Sequence, residues 1–115
     1  MTPRVDGVLI ARGVVGVDLT ESEAQRAASV AARNALAAIA DAVGGVHRIT
    51  RCLRLVVYVA CSVQFENHSL VADGASDALN EYLDDQLLPV RTAIGVRSLP
   101  GGAAVEVELT VAIDG

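Results

Sequence analysis

At 115 residues, 52 % of them hydrophobic, the chain has the length of a single domain spanning residues 1–115. A chain of this size buries enough surface to fold without a disulfide or metal staple. Its 9 basic and 14 acidic side chains leave a net charge of −5, and none of the basic residues is Lys. That balance, without a basic run, argues against a nucleic-acid partner, because phosphate binding depends on clustered cations. No apolar run reaches the ~18 residues of a spanning helix, and the N-terminus lacks a signal-peptide core. The expectation is a cytoplasmic protein without membrane contact.

In chain order, Val8–Ile10 and Val14–Val17 around Gly13 read as short extended pieces separated by a turn. Thr20-Glu21-Ser22-Glu23 has the form of a capping box, in which hydroxyl and carboxylate each satisfy a free N–H at a helix start. The helix it opens carries Ala28, Ala32, Leu36, Ile39 and Val43 at helical spacing and stops at Gly44-Gly45. Ile49 to Ala60 alternates as a strand, with Ile49, Leu53, Leu55, Val57 and Val59 on one face. Its other face, with Thr50, Cys52, Arg54 and Tyr58, is semi-polar and suits a subunit interface. Cys52 and Cys61 are nine residues apart, which on one straight strand puts them beyond bridging distance and on opposite faces. Both read as buried free thiols.

A second helix begins near Glu66-Asn67-His68, with Val71, Ala75, Leu79 and Tyr82 on one side. Gly74 weakens it by about 1 kcal/mol relative to Ala, and Asp84-Asp85 oppose the dipole at its end. Arg91 to Val96 then reads as a strand, Ser98 to Gly102 as a turn and Ala103 to Ile113 as a strand. This order predicts an α+β fold, a mixed sheet with two helices packed on one face.

If the last two strands form a tight hairpin with Arg97 opposite Ala104, then Gly95 faces Glu106 and Ala93 faces Glu108. Arg91, Glu106 and Glu108 would then project from the sheet face opposite the apolar stripe. An Arg there can grip a substrate carboxylate through paired hydrogen bonds, and a Glu can move a proton or orient water. Gly95 would leave room for a ligand. The same residues also suit an ordinary cross-strand salt bridge. Cys61 has no His at a telling spacing, and His47 and His68 make no metal-ligand cluster. The run Asp73–Asp77 can line a pocket or a close helix contact.

Val90-Arg91-Thr92-Ala93-Ile94-Gly95-Val96, Leu99-Pro100 and Ala104-Val105-Glu106-Val107-Glu108 resemble the C-terminal signature of the RidA/YjgF (reactive intermediate deaminase) family. Ala72-Asp73-Gly74-Ala75-Ser76-Asp77 resembles its chorismate-mutase-like subgroup. The resemblance implies a homotrimer with a central barrel-like assembly of sheets, helices outside and small-carboxylate metabolites bound at subunit clefts. It implies no metal and no organic cofactor. Carried over, Arg91 anchors the substrate carboxylate and Glu106 is the acid/base or water-positioning group, with Ser76, Ala93 and Gly95 lining the site. The implied activity is hydrolysis of enamines and imines, as by a 2-iminobutanoate/2-iminopropanoate deaminase-like hydrolase. The alternative is a non-catalytic trimer that binds a small carboxylate as sensor or carrier. Ala93 stands where deaminases often carry Cys, Ser76 where many members have Asn. The chain begins where members usually have already formed an N-terminal hairpin.

Overall fold

A computed structural model describes residues 1–83 and 89–114. Arg4–Val5 (β1) and Val8–Leu9 (β2) form a small hairpin whose Asp6-Gly7 turn has positive φ at both residues, the geometry that matches strand twist in two-residue turns. Glu21–Val43 (α1) follows, then a 3-10 turn at Val46–Arg48, the strand Ile49–Ala60 (β3) and the helix His68–Asn80 (α2). Val90–Val96 (β4), a 3-10 turn at Pro100–Gly102 and Val105–Ile113 (β5) complete the chain. The expected pair Asp84-Asp85 lies outside the described residues.

The helix boundaries follow from local chemistry. Glu23 N–H donates to the Thr20 hydroxyl at 3.1 Å while the Glu23 carboxylate accepts from Thr20 N–H at 3.1 Å, closing the expected capping box. Gly44 ends α1 in the left-handed conformation and returns its N–H to the Ala40 carbonyl. The buried stripe of α1 is almost entirely alanine, Ala24, Ala27, Ala28, Ala31, Ala32 and Ala35, with Leu36. Such short side chains let α2 approach closely. At Gly74 the approach is so tight that a Cβ would stand 2.0 Å from the Gln25 carbonyl oxygen. The propensity lost at Gly74 is therefore exchanged for helix contact, which Gln25 Nε2 reinforces by donating to the Leu70 carbonyl at 2.8 Å.

The larger sheet has the order β4-β3-β5, with β3 parallel to β4 and antiparallel to β5. The expected tight hairpin between the last two strands does not form, because β3 lies between them. A parallel pair needs a crossover, and α2 supplies it. Residues after β4 then pass over the end of β3: Cys61 N–H donates to the Val96 carbonyl and Ala60 N–H to the Ala104 carbonyl. Helices cover one face, where Leu55, Val57 and Val59 of β3 join Val105 and Val107 of β5 in the core. Two register shifts, between Ile49 and Arg51 and between Cys52 and Arg54, break the expected alternation at the start of β3. Each bulge adds a residue to one strand and re-aims its neighbours. Leu53, expected on the core face, is consequently exposed, whereas Cys52 is buried.

Candidate functional site

The register redistributes the predicted site residues. Arg91 pairs with Leu55, Ala93 with Val57 and Gly95 with Val59, so these three occupy the helix-covered face of β4. Glu106 and Glu108 stand opposite Tyr58 and Val56 and project from the other face. The expectation that Arg91, Glu106 and Glu108 share one face thus fails. Its premise was direct pairing of β4 with β5, whereas register through an intervening strand sets the faces.

Arg91 meets α2. Its Nη1 donates to Asp73 Oδ1 at 2.8 Å and to Ser76 Oγ at 3.1 Å. Asp73 and Ser76 lie three residues apart and so present to one side of the helix. Both bonds use the same nitrogen. Among the described residues nothing bonds Nε or Nη2, the guanidinium edge that can take a carboxylate through two parallel bonds. The side chain is about 29 % exposed, enough for a ligand to reach it. Ser76 is thereby joined to Arg91 as a positioning contact, and Asp73 enters the site as the partner that sequence reading left unassigned.

On the open face, Tyr58 donates weakly to Glu108 Oε2 at 3.4 Å, and Glu106 lies 4.0 Å from the amino group of Met1. Met1 itself exchanges both backbone bonds with Val107, along the outer edge of β5. Thr92, Ile94, Tyr58 and the two glutamates make this face semi-polar, as the sequence suggested for β3.

A third cluster was not foreseen. Cys61, just past β3, places its Sγ 3.5 Å from Nε2 of His68, the first residue of α2. The side chains meet across Gly95, where a Cβ would stand 2.6 Å from His68 Nε2 and 2.8 Å from Cys61 Sγ. The space expected above Gly95 for a ligand is therefore filled by these two groups. Burial pushes the Cys61 thiol up from its ordinary value, as it does the thiol of Cys52. Both cysteines are free, and Cys61 is half-buried rather than buried. The signal available in the sequence was a Cys ending a strand and a His opening the next helix, with a short return between them.

No group of three His, Cys, Asp or Glu side chains able to hold a metal ion occurs among the described residues. No helix among them is long and apolar enough to cross a membrane.

Residues 2–113 match the family described as Endoribonuclease L-PSP. The chain belongs to this family, that of the RidA/YjgF proteins. It is 37 % identical over 103 residues to Protein TCP17 of Trypanosoma cruzi, covering 89 % of this chain and 64 % of that one. This chain thus spans just under two thirds of that relative. Among solved structures it is similar to Atu1372 of Agrobacterium tumefaciens, a protein of unknown function, with a TM-score of 0.95 and 36 % identity. That match covers 99 % of this chain and 73 % of the other. A Shewanella oneidensis MR-1 protein named as a candidate endoribonuclease gives a TM-score of 0.92 at 28 % identity, covering 97 % of this chain and 74 % of its own. The RidA/YjgF family member therefore has the α+β, chorismate-mutase-like fold expected from its signature.

Proposed function

We propose that the protein binds a small carboxylate metabolite at Arg91 and hydrolyses an enamine or imine group on it, in a cleft completed by another copy of the chain. The observation that carries this reading is the guanidinium of Arg91, held by Asp73 and Ser76 through Nη1 with its Nε–Nη2 edge left for a ligand. Two α2 partners fix the orientation of the side chain before the ligand arrives, which lowers the ordering cost of binding. Glu106 is the proposed group for positioning water and moving the proton.

Within one chain β3 separates β4 from β5, and Arg91 and Glu106 pair with Leu55 and Tyr58, three residues apart on it, so their backbones are roughly 14 Å apart at ordinary strand spacing and rise, and their side chains leave opposite faces. A Glu106 acting on a substrate held by Arg91 would therefore come from a second copy. In this reading the copies form a homotrimer in which Glu106 of one copy reaches the Arg91 cleft of the next at the subunit boundary. The same separation favours one alternative, a trimer that binds a small carboxylate without turning it over. RNA is not the proposed substrate: the net charge is −5, and Arg33 and Arg48 are already paired with Glu81 and Asp114.

The test generates imines from amino acids with an amino-acid oxidase and follows their loss with and without the protein. Faster loss in wild type, abolished in Arg91→Ala and strongly reduced in Glu106→Gln, is the expected result. Equal rates in all three would reject hydrolysis. Saturable 2-keto acid binding that requires Arg91, without turnover, would establish the alternative.

A further inference from the structure

Cys61 and His68 are absorbed by none of this chemistry, and they do not touch Arg91 or Glu106. They line an open cleft of about 520 Å³ together with Ser62, Phe65, Gly95 and Arg97. The Sγ–Nε2 separation of 3.5 Å is that of a sulfur hydrogen bond. The ring of His68 is held edge-on by Phe65, with centroids 5.3 Å apart and planes at 74°, which gives the imidazole a defined plane. Gly95 is the only residue type that leaves both groups in place, since any Cβ there would collide with each.

Two further features bear on what the pair could act upon. α2 begins at His68, and its first N–H groups have no intrahelical partner. Asn67, the residue placed to cap them, instead donates its side-chain amide to Glu21 at 2.7 Å, and the first turn of α2 carries no acid. The helix end beside the thiol thus has no side-chain cap, with the Glu21 carboxylate standing against Asn67. Arg97, on the cleft wall, makes no side-chain hydrogen bond or ion pair among the described residues. A cation, a thiol and a base thus line one cleft beside an uncapped helix start.

We propose that Cys61 and His68 form a second reactive site, a thiol nucleophile and its base, which takes activated acyl groups bearing a carboxylate. Sγ attacks the acyl carbon while His68 Nε2 accepts the thiol proton. The tetrahedral oxyanion forms at the helix end, the bond to the leaving group breaks, and His68 returns the proton to that group. The product is a thioester on Cys61. Water then attacks the thioester with His68 again as base, releasing the acid and restoring the thiol. Burial pushes the Cys61 thiol up, which favours a step assisted by a base. This site stands apart from the Arg91 reading, and each can fail without the other.

The probes are 4-nitrophenyl acetate and the mono-4-nitrophenyl ester of succinic acid, mixed with the full chain. The expected result is a burst of one 4-nitrophenolate per chain, an acyl mass on the Cys61 peptide and none on that of Cys52. His68→Gln should slow the burst about 100-fold or more, the size expected for losing a general base. Arg97→Ala should remove the preference for the succinyl over the acetyl ester. Circular dichroism of each variant verifies the fold, and Cys61→Ser serves as a second variant if His68→Gln does not fold. Equal labelling of both cysteines, a burst unchanged in His68→Gln, or a burst persisting in Cys61→Ser would overturn the proposal. An unaltered ester preference in Arg97→Ala would overturn the assignment of a carboxylate-bearing substrate.

Discussion

Gly74→Ala is a substitution for which helix propensity and packing predict opposite signs. In an isolated helix the change stabilises by about 1 kcal/mol. Here the new Cβ would lie 2.0 Å from the Gln25 carbonyl oxygen and 2.9 Å from its carbonyl carbon. Ordinary contact begins near 3.4 Å, so the helices would have to separate by more than 1 Å at this crossing. The obstacle is α1 backbone, which cannot rotate aside as a side chain would. Separation would stretch the bond from Gln25 Nε2 to the Leu70 carbonyl, now 2.8 Å, and open the alanine seam between the helices. Overpacking of this kind costs roughly 1–3 kcal/mol, and a backbone obstacle belongs at the upper end. After the propensity gain is subtracted, a net loss of about 2 kcal/mol is expected. For a domain of this size that lowers Tm by roughly 10 °C. Thermal and urea unfolding followed by circular dichroism, at one fixed protein concentration, measures it. A Tm equal to or above wild type would refute the argument that close helix approach selects glycine at this position.

Thr20→Ala removes the hydroxyl that accepts from Glu23 N–H and should cost about 1 kcal/mol, read as a Tm drop of roughly 4–6 °C. Gly95→Ala pushes against the ends of two side chains rather than backbone, so Cys61 acylation should fall at least tenfold while Tm changes little; thiol-specific mass labelling beside a melting curve separates the two effects. The buried Cys52 and half-buried Cys61 thiols make stability pH-dependent, with a sign set by burial. Their folded-state pKa values are raised, so the unfolded chain releases these protons first. Stability should therefore be full below the ordinary thiol range and decline as pH rises through and beyond it. Cys52→Ala should flatten that alkaline slope in urea titrations, and an unchanged slope would show that another group is responsible.

Much of this protein was legible in residues close together in the chain. The Thr20–Glu23 box and the Gly44 stop each depend on hydrogen bonds spanning a few residues, and each stands in the structure as read. The signature from Val90 to Glu108 identified the family because it is a local string. Arg91 and Ser76 were both singled out, yet only α2 packing on β4 joined them and added Asp73.

What the tertiary structure decided was which segments meet. A strand's own pattern states that it has two faces but not which neighbour lies on each edge, and inserting β3 between β4 and β5 sent Arg91 and Glu106 to opposite sides. The bulges in β3 arise from pairing with β5 and so escaped a strict alternation. Cys61 and His68, separated by a turn whose course depends on the core beneath it, came together only once α2 had docked across Gly95. Local hydrogen bonding is encoded by neighbours in sequence; strand partners and side-chain encounters are selected by burial of the whole chain.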